Sequence, residues 1–182
     1  ALTDTATVTV DVTDANDAPV VVDNSFTLAE NAGASALGTV SASDIDAAGD
    51  TLTYSITAGN DSSLFAIDAS TGELSTTGDL DFEAAAQHVL TVEVSDSALT
   101  DTATVTVDVT DANDGPAVVD NTFAIAENLA AGLLGSVSAT DEDVTADTLT
   151  YSITAGNDSS LFAIDASTGE LSTTGTLDYE TA

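Results

Sequence analysis

Acidic and amide side chains recur along this chain in short clusters: Asp14, Asn16 and Asp17 around one Ala, Asp44 and Asp46 around Ile45, and Asp81 and Glu83 around Phe82. Glu30 precedes Asn31, and Asp96 closes a Val-Ser-Asp triplet. These are oxygen donors, and oxygen donors in quantity suit a hard divalent cation. Ca2+ takes about six to eight oxygens from carboxylates, carbonyls and amide side chains, with no need of nitrogen or sulfur. The chain has no Cys and one His, His88, which opens a predicted strand with no second His nearby, so a transition-metal site is not expected. Isolated acids such as Asp61 and Asp120 read as solvated surface.

The charge balance sharpens the point. Among 182 residues there are 32 Asp plus Glu and no Lys or Arg, for a formal net charge of -32. No internal ion pair with a basic side chain can offset that charge, so solvent cations or bound metal must meet it. Nucleic acid and anionic membrane partners are excluded, because both need Lys and Arg opposite phosphate. Hydrophobic residues still make up 43% of the chain and alternate with Thr, Ser and Asp, which predicts a buried core and not a disordered acidic tail. No apolar run approaches the roughly 20 residues of a membrane span, and the start lacks a basic and apolar leader. No membrane insertion is expected, and any targeting information is expected outside this stretch. Without Cys, no disulfide can staple the fold.

The clusters sit in a repeat. Ala1 to Asp17 is identical to Ala98 to Asp114, and Asp50 to Gly78 is identical to Asp147 to Gly175, both at an offset of 97 residues. The two prolines, Pro19 and Pro116, each follow an Asp-Ala-Asn-Asp cluster and open a new apolar run. The expected organisation is therefore the last strand and linker of an upstream repeat over 1–17, a complete repeat over 18–114, and a second repeat over 115–182 that lacks its last strands. Two readings account for the incomplete ends: a window on a longer array of repeats, or a strand of one molecule completing the open sheet of another.

Elements that position the acids can be read from period-two alternation. Strands are predicted near Val20 to Ala29, Leu37 to Ala42, Leu52 to Thr57, Phe65 to Asp68, Glu73 to Thr76, Val89 to Ser95 and Thr102 to Val109. Seven short strands in about a hundred residues predict an all-β fold, an antiparallel Greek-key sandwich of immunoglobulin-like architecture, in tandem copies. Gly72 is expected to take a positive φ, and Glu83 to Gln87 to form at most one helical turn. Phe26, Tyr54, Phe65 and Phe82 recur as Phe123, Tyr151, Phe162 and Tyr179 and are expected in the core.

In order along one repeat, the motifs read A-E-N, D-x-D, Y-S-I, F-x-I-D-x-x-T-G-x-L, L-D-[FY]-E, V-S-D and D-x-N-D-x-P. This order resembles the cadherin repeat, and the Thr-rich final strand resembles the bacterial cadherin-like tandem repeats of large secreted surface adhesins. The resemblance implies seven-stranded sandwiches joined end to end by Ca2+. Carried over by motif, the junction between the repeats would use Glu30, Asp81, Glu83, Asp111, Asn113, Asp114, Asp141 and Asp143. The upstream junction would use Asp14, Asn16, Asp17, Asp44, Asp46 and Asp96, and the lower end of the second repeat Glu127, Asp178 and Glu180. Two departures stand out: Ala18 and Gly115 replace the usual Asn before the proline, and Asp50 and Asp147 stand where a Gly-x-Asn turn is usual.

The resemblance further implies a calcium-rigidified structural spacer or filament segment of an extracellular adhesin, at the cell surface or secreted. Its partners would be neighbouring repeats or identical subunits end to end. A module binding a ligand directly, homophilic or carbohydrate, is the alternative. Enzymatic activity is not expected, because the acids fall at domain ends without a nucleophile and base in a shaped pocket.

Overall fold

The structure, a computed structural model, describes residues 1–46, 51–143 and 148–180. Asp50 and Asp147, which stand where a Gly-x-Asn turn is usual, lie outside the described residues. The chain forms two compact units, Ala1–Ala112 and Asn113–Ala182.

In the first unit the strands are β1 (Val20–Val21), β2 (Asn24–Ala29), β3 (Ala36–Thr39), β4 (Ala42–Ser43), β5 (Thr53–Ala58), β6 (Phe65–Ile67), β7 (Glu73–Thr76), β8 (Gln87–Ser95) and β9 (Thr100–Thr110). One sheet has the order β2-β9-β8-β5, a second β3-β7-β6, and β1 pairs with β4. Alternation along β8 and β9 buries Leu90, Val92, Val94, Ala103, Val105, Val107 and Val109 on one face. Register brings Leu90 opposite Val105 and Val92 opposite Ala103, and Val40, Phe65, Leu74 and Leu80 complete the same core cluster. Phe26, Tyr54 and Phe82 pack partly buried against it. His88 is half-buried on β8, edge-on to Phe65 with ring centroids 5.2 Å apart.

Four expectations need correction. The predicted strand from Val20 divides into β1 and β2, because the chain leaves β4 at Val22 and crosses to β9. Asp101 Oδ2 accepts the Val21 N–H at 3.0 Å and Asp23 Oδ1 accepts the Thr104 N–H at 2.8 Å, one on each side of that crossing. As a result β2 runs parallel to β9, so the sandwich is not wholly antiparallel. Second, the predicted strand from Leu37 divides into β3 and β4, with Val40 between them donating its N–H to Gly72 C=O at 2.9 Å.

Third, residues 1–17 carry no strand and are exposed, although the identical Ala98 to Asp114 contains the 11-residue β9. Strand pairing is a property of neighbours: β9 lies between β2 and β8, and among the described residues no strand pairs with 1–17. Fourth, Tyr179 is 83% exposed, where its counterpart Phe82 packs on the core.

The helical turn expected over Glu83 to Gln87 falls earlier in the chain, closed by the Ala85 N–H donating to Asp81 C=O at 3.0 Å, and Gln87 already opens β8. Gly72 has φ 71°, and a Cβ there would run into the Val40 carbonyl oxygen.

The second unit holds β10 (Ala117–Val118), β11 (Leu133–Ser136), β12 (Ala139–Thr140), β13 (Phe162–Ile164) and β14 (Glu170–Thr173). β10 pairs with β12, and the other three have the order β11-β14-β13, each strand displaced by the repeat offset from its counterpart in the first unit. Residues 121–126 and 150–155, counterparts of β2 and β5, carry no strand. In the first unit the ladder partners of β2 and β5 are β9 and β8.

Candidate metal centres at the repeat ends

At the upper end of the first unit, the linker is held against two loops. The Asp17 N–H donates to Asp46 Oδ2 at 2.5 Å, the Asp46 N–H donates to Asp44 Oδ1 at 2.9 Å, and Asn16 Nδ2 donates to Asp96 Oδ2 at 2.8 Å. Asp96 is 2% exposed, and its other oxygen accepts the N–H groups of Ala98 and Leu99 at 2.7 Å each. The Leu99 N–H, the Asn16 amide and the Ala98 N–H hold the Asp96 carboxyl below the usual carboxylate range. Asn16, Asp17, Asp44, Asp46 and Asp96 are thus brought together; Asp14 lies exposed in the same stretch.

The second unit repeats this latch. The Asp114 N–H donates to Asp143 Oδ2 at 3.0 Å, and the Asp143 N–H to Asp141 Oδ1 at 3.2 Å.

The lower end of the first unit is built around Glu30, 3% exposed at the end of β2. Its Oε2 accepts the Phe82 N–H at 2.7 Å and its Oε1 the Ala112 N–H at 2.9 Å. Carboxylate oxygens of Glu30 and Glu83 lie within 4.8 Å of each other, as do those of Glu83 and Asp111. Asp81 is exposed and accepts the Ala84 N–H at 2.8 Å, which caps the single turn. In the second unit Glu127, Asp178 and Glu180 converge likewise, each offering an oxygen within 4.8 Å of the others, and Glu127 Oε2 accepts the Tyr179 N–H at 3.2 Å.

Part of this positioning machinery was not read from the sequence. Asn31 and Asn128 take left-handed φ values of 56° and 61°, and their N–H groups donate to Leu80 and Leu177 C=O at 3.2 and 2.9 Å. That turn presents the preceding glutamate to the L-D-x-E segment. The available signal was Asn after Glu in both copies, since Asn tolerates the left-handed region better than most residues. The acids Asp23, Asp79 and Asp101 were also missed: they accept backbone N–H groups of Thr104, Gly33 and Val21 and act as struts.

The residues fit Ca2+. The donors are carboxylates with an Asn amide, all hard oxygens, and Asp44 Oδ2 is buried with no hydrogen-bond partner among the described residues. A buried carboxylate oxygen without a donor is costly unless a cation meets it, and this chain has no Lys or Arg to do so.

A family model described as "Cadherin domain" matches residues 24–110 and 121–182. Human "Protocadherin Fat 1" is 39% identical over 194 residues, covering 99% of this chain and 4% of that protein. Mouse "Protocadherin Fat 4" is 40% identical over 152 residues, covering 78% of this chain and 3% of that protein. The crystal structure of human protocadherin-24 EC1-2, form II, superposes with a TM-score of 0.59 at 30% identity, covering 85% of this chain and 75% of that one. The chain therefore spans only a few per cent of the length of these curated relatives.

Proposed function

The chain belongs to the cadherin domain family, and on that premise we propose that it is a segment of tandem repeats in an extracellular adhesion protein, stiffened by Ca2+ where one repeat follows the next. The observation that carries this is the recurrence, one repeat apart, of the same latch: Asp17 on Asp46 beside Asp44, and Asp114 on Asp143 beside Asp141. Each latch ties a linker to a D-x-D loop through backbone N–H groups, which leaves carboxylate oxygens for a cation. At the lower end of the first unit Glu83 lies near both Glu30 and Asp111, and Glu127, Asp178 and Glu180 gather at that of the second.

One cation set would be held by Glu30, Asp81, Glu83, Asp111, Asn113, Asp114, Asp141 and Asp143. Another would use Asp14, Asn16, Asp17, Asp44, Asp46 and Asp96, and Glu127, Asp178 and Glu180 would serve a further neighbour. When bound, Ca2+ supplies the positive charge the chain itself lacks. The residues' own work is to hold their oxygens close without collapse, which the backbone N–H groups on Glu30, Asp46 and Asp96 achieve. With the cation absent, like charges at each end repel and the linkers flex. The consequence is a spacer that holds an adhesive part away from a surface. The Thr-rich β9 sequence is what favours a large bacterial surface adhesin as the host.

Calcium titration of the intact chain, followed by melting temperature and by small-angle scattering, tests this. A dissociation constant on the order of 10⁻⁴ M, in about 10 mM calcium, adds roughly 2.7 kcal/mol per site. Melting temperature and maximum dimension are expected to rise together. A chelator that leaves both unchanged would sink the proposal.

A further inference from the structure

The two linkers differ by one side chain: Asp14 to Pro19 reads DANDAP and Asp111 to Pro116 reads DANDGP. In both, the Asn side chain reaches over the next peptide. Asn16 Nδ2 donates to Asp17 C=O at 2.9 Å, and Asn113 Nδ2 to Asp114 C=O at 2.8 Å. That carbonyl shares its amide with the nitrogen of the following residue. A donor on the carbonyl withdraws electron density and stabilises the amidate formed when the nitrogen loses its proton.

An amidate in this position is placed to close a five-membered ring on the preceding Asp side chain. At the first linker the attacking nitrogen belongs to Ala18, whose Cβ crowds the ring. At the second it belongs to Gly115, exposed, with nothing within 4 Å of the position a Cβ would take. Asp114–Gly115 is the only Asp-Gly pair in the sequence.

We propose that Asp114–Gly115 is a site of spontaneous isomerisation to isoaspartate, and that a cation held at Asp114 suppresses it. The second half rests on the calcium reading above; the first does not. In the step itself, the Gly115 nitrogen bonds to Cγ of the protonated Asp114 carboxyl. The amide proton and the carboxyl oxygen leave as water, giving a succinimide. Water then adds at the Asp114 main-chain carbonyl carbon and breaks its bond to the Gly115 nitrogen. One water leaves and one returns, with no change in oxidation state.

The product carries its backbone through the former side-chain methylene, and the former main-chain carbonyl becomes the free carboxylate. Asp114 then presents a different oxygen at a different reach, while its N–H still belongs to the hydrogen bond on Asp143 Oδ2. A carboxylate held by a cation would be fixed in place, which keeps its Cγ from closing on the Gly115 nitrogen. The junction would age when calcium is withdrawn and keep when calcium is present.

The test incubates the full chain at neutral pH and physiological temperature, with chelator or with millimolar calcium. Isoaspartate is then located by isoaspartyl methyltransferase labelling and fragment mass spectrometry. In chelator, isoaspartate at Asp114 is expected to exceed that at Asp17 by about tenfold, a barrier difference of about 1.4 kcal/mol. Gly115→Ala, which meets open space, is expected to bring Asp114 down to the Asp17 level, with the melting temperature recording that the fold is intact. Calcium is expected to slow the wild-type reaction several-fold. Equal labelling at both linkers, or no effect of Gly115→Ala, overturns the isomerisation site. Unchanged kinetics in calcium, with the site confirmed in chelator, overturns only the suppression and with it Asp114 as a ligand.

Discussion

The Glu30 Oε2 atom accepts the backbone N–H of Phe82 at 2.7 Å, across 52 residues of sequence. Its second oxygen accepts the Ala112 N–H at 2.9 Å, so one carboxylate joins the end of β2, the L-D-F-E turn and the exit from β9. A residue expected only as a cation ligand is also the tie between three segments of its own unit. Glu30→Ala leaves both N–H groups without that acceptor at a site 3% exposed, and should destabilise the first unit by about 3 kcal/mol. Because the loss is local, it should appear in urea unfolding with chelator present as well as with calcium. A loss seen only with calcium would mean that the hydrogen bonds contribute nothing.

Gly72 and Gly78 lie six positions apart and make opposite predictions. Gly72 has φ 71° and its Cβ would meet the Val40 carbonyl, while Gly78 has nothing within 4 Å. Gly72→Ala should cost about 1 to 3 kcal/mol, because a side chain there must accept both the strained backbone and a displaced Val40 carbonyl. Gly78→Ala should stay within about 0.5 kcal/mol of wild type. Thermal melts of the two variants decide it, and equal losses would contradict the geometry.

Asp68 and Asp165 cap the same turn in the two units. Backbone N–H groups of Thr71 and Ser70 and the Thr71 hydroxyl lower the Asp68 carboxyl; N–H groups of Ser167 and Thr168 and the Thr168 hydroxyl lower that of Asp165. A carboxyl with a native pKa below its unfolded value stabilises the fold above the unfolded value, and that stability is lost as pH falls through the native one. Carbon-detected NMR titration should therefore find both titrating below about 3.9, the ordinary aspartate value. Asp68→Ala should lower the melting temperature at neutral pH and flatten its fall in acid, measured with chelator present to keep calcium out of the comparison.

Much of the fold was legible because it rests on local pattern. Alternation marked β5, β6, β7, β8 and β9, and the T-G turn marked the left-handed Gly72. The repeat offset carried the D-x-D and L-D-x-E clusters from one unit to the other. What escaped depends on distant neighbours. The parallel pairing of β2 with β9 follows from a crossing fixed by Asp23 and Asp101, two acids that look like surface charge in sequence. Tyr179 matches Phe82 in the motif yet is exposed. Asp23, Asp79 and Asp101 became N–H acceptors because, without Lys or Arg, the backbone is the main source of donors for a carboxylate.

The sharpest test of that dependence lies within the chain itself. Val8, Val10 and Val12 are 84%, 79% and 92% exposed, while the identical context at Val105, Val107 and Val109 is 0%, 0% and 4% exposed. Intrinsic propensity is the same for both copies, so any difference in their behaviour belongs to tertiary context alone. In the β9 copy, Val105 pairs with Leu90 on one side and Asn24 on the other, so its amide opens only with the core. Hydrogen exchange should find the amides of Val105, Val107 and Val109 protected by at least about a thousandfold relative to Val8, Val10 and Val12, as expected for a domain with several kcal/mol of stability. Equal protection of the two copies in a dilute monomeric sample would show that the Thr-Val alternation orders itself without the flanking strands.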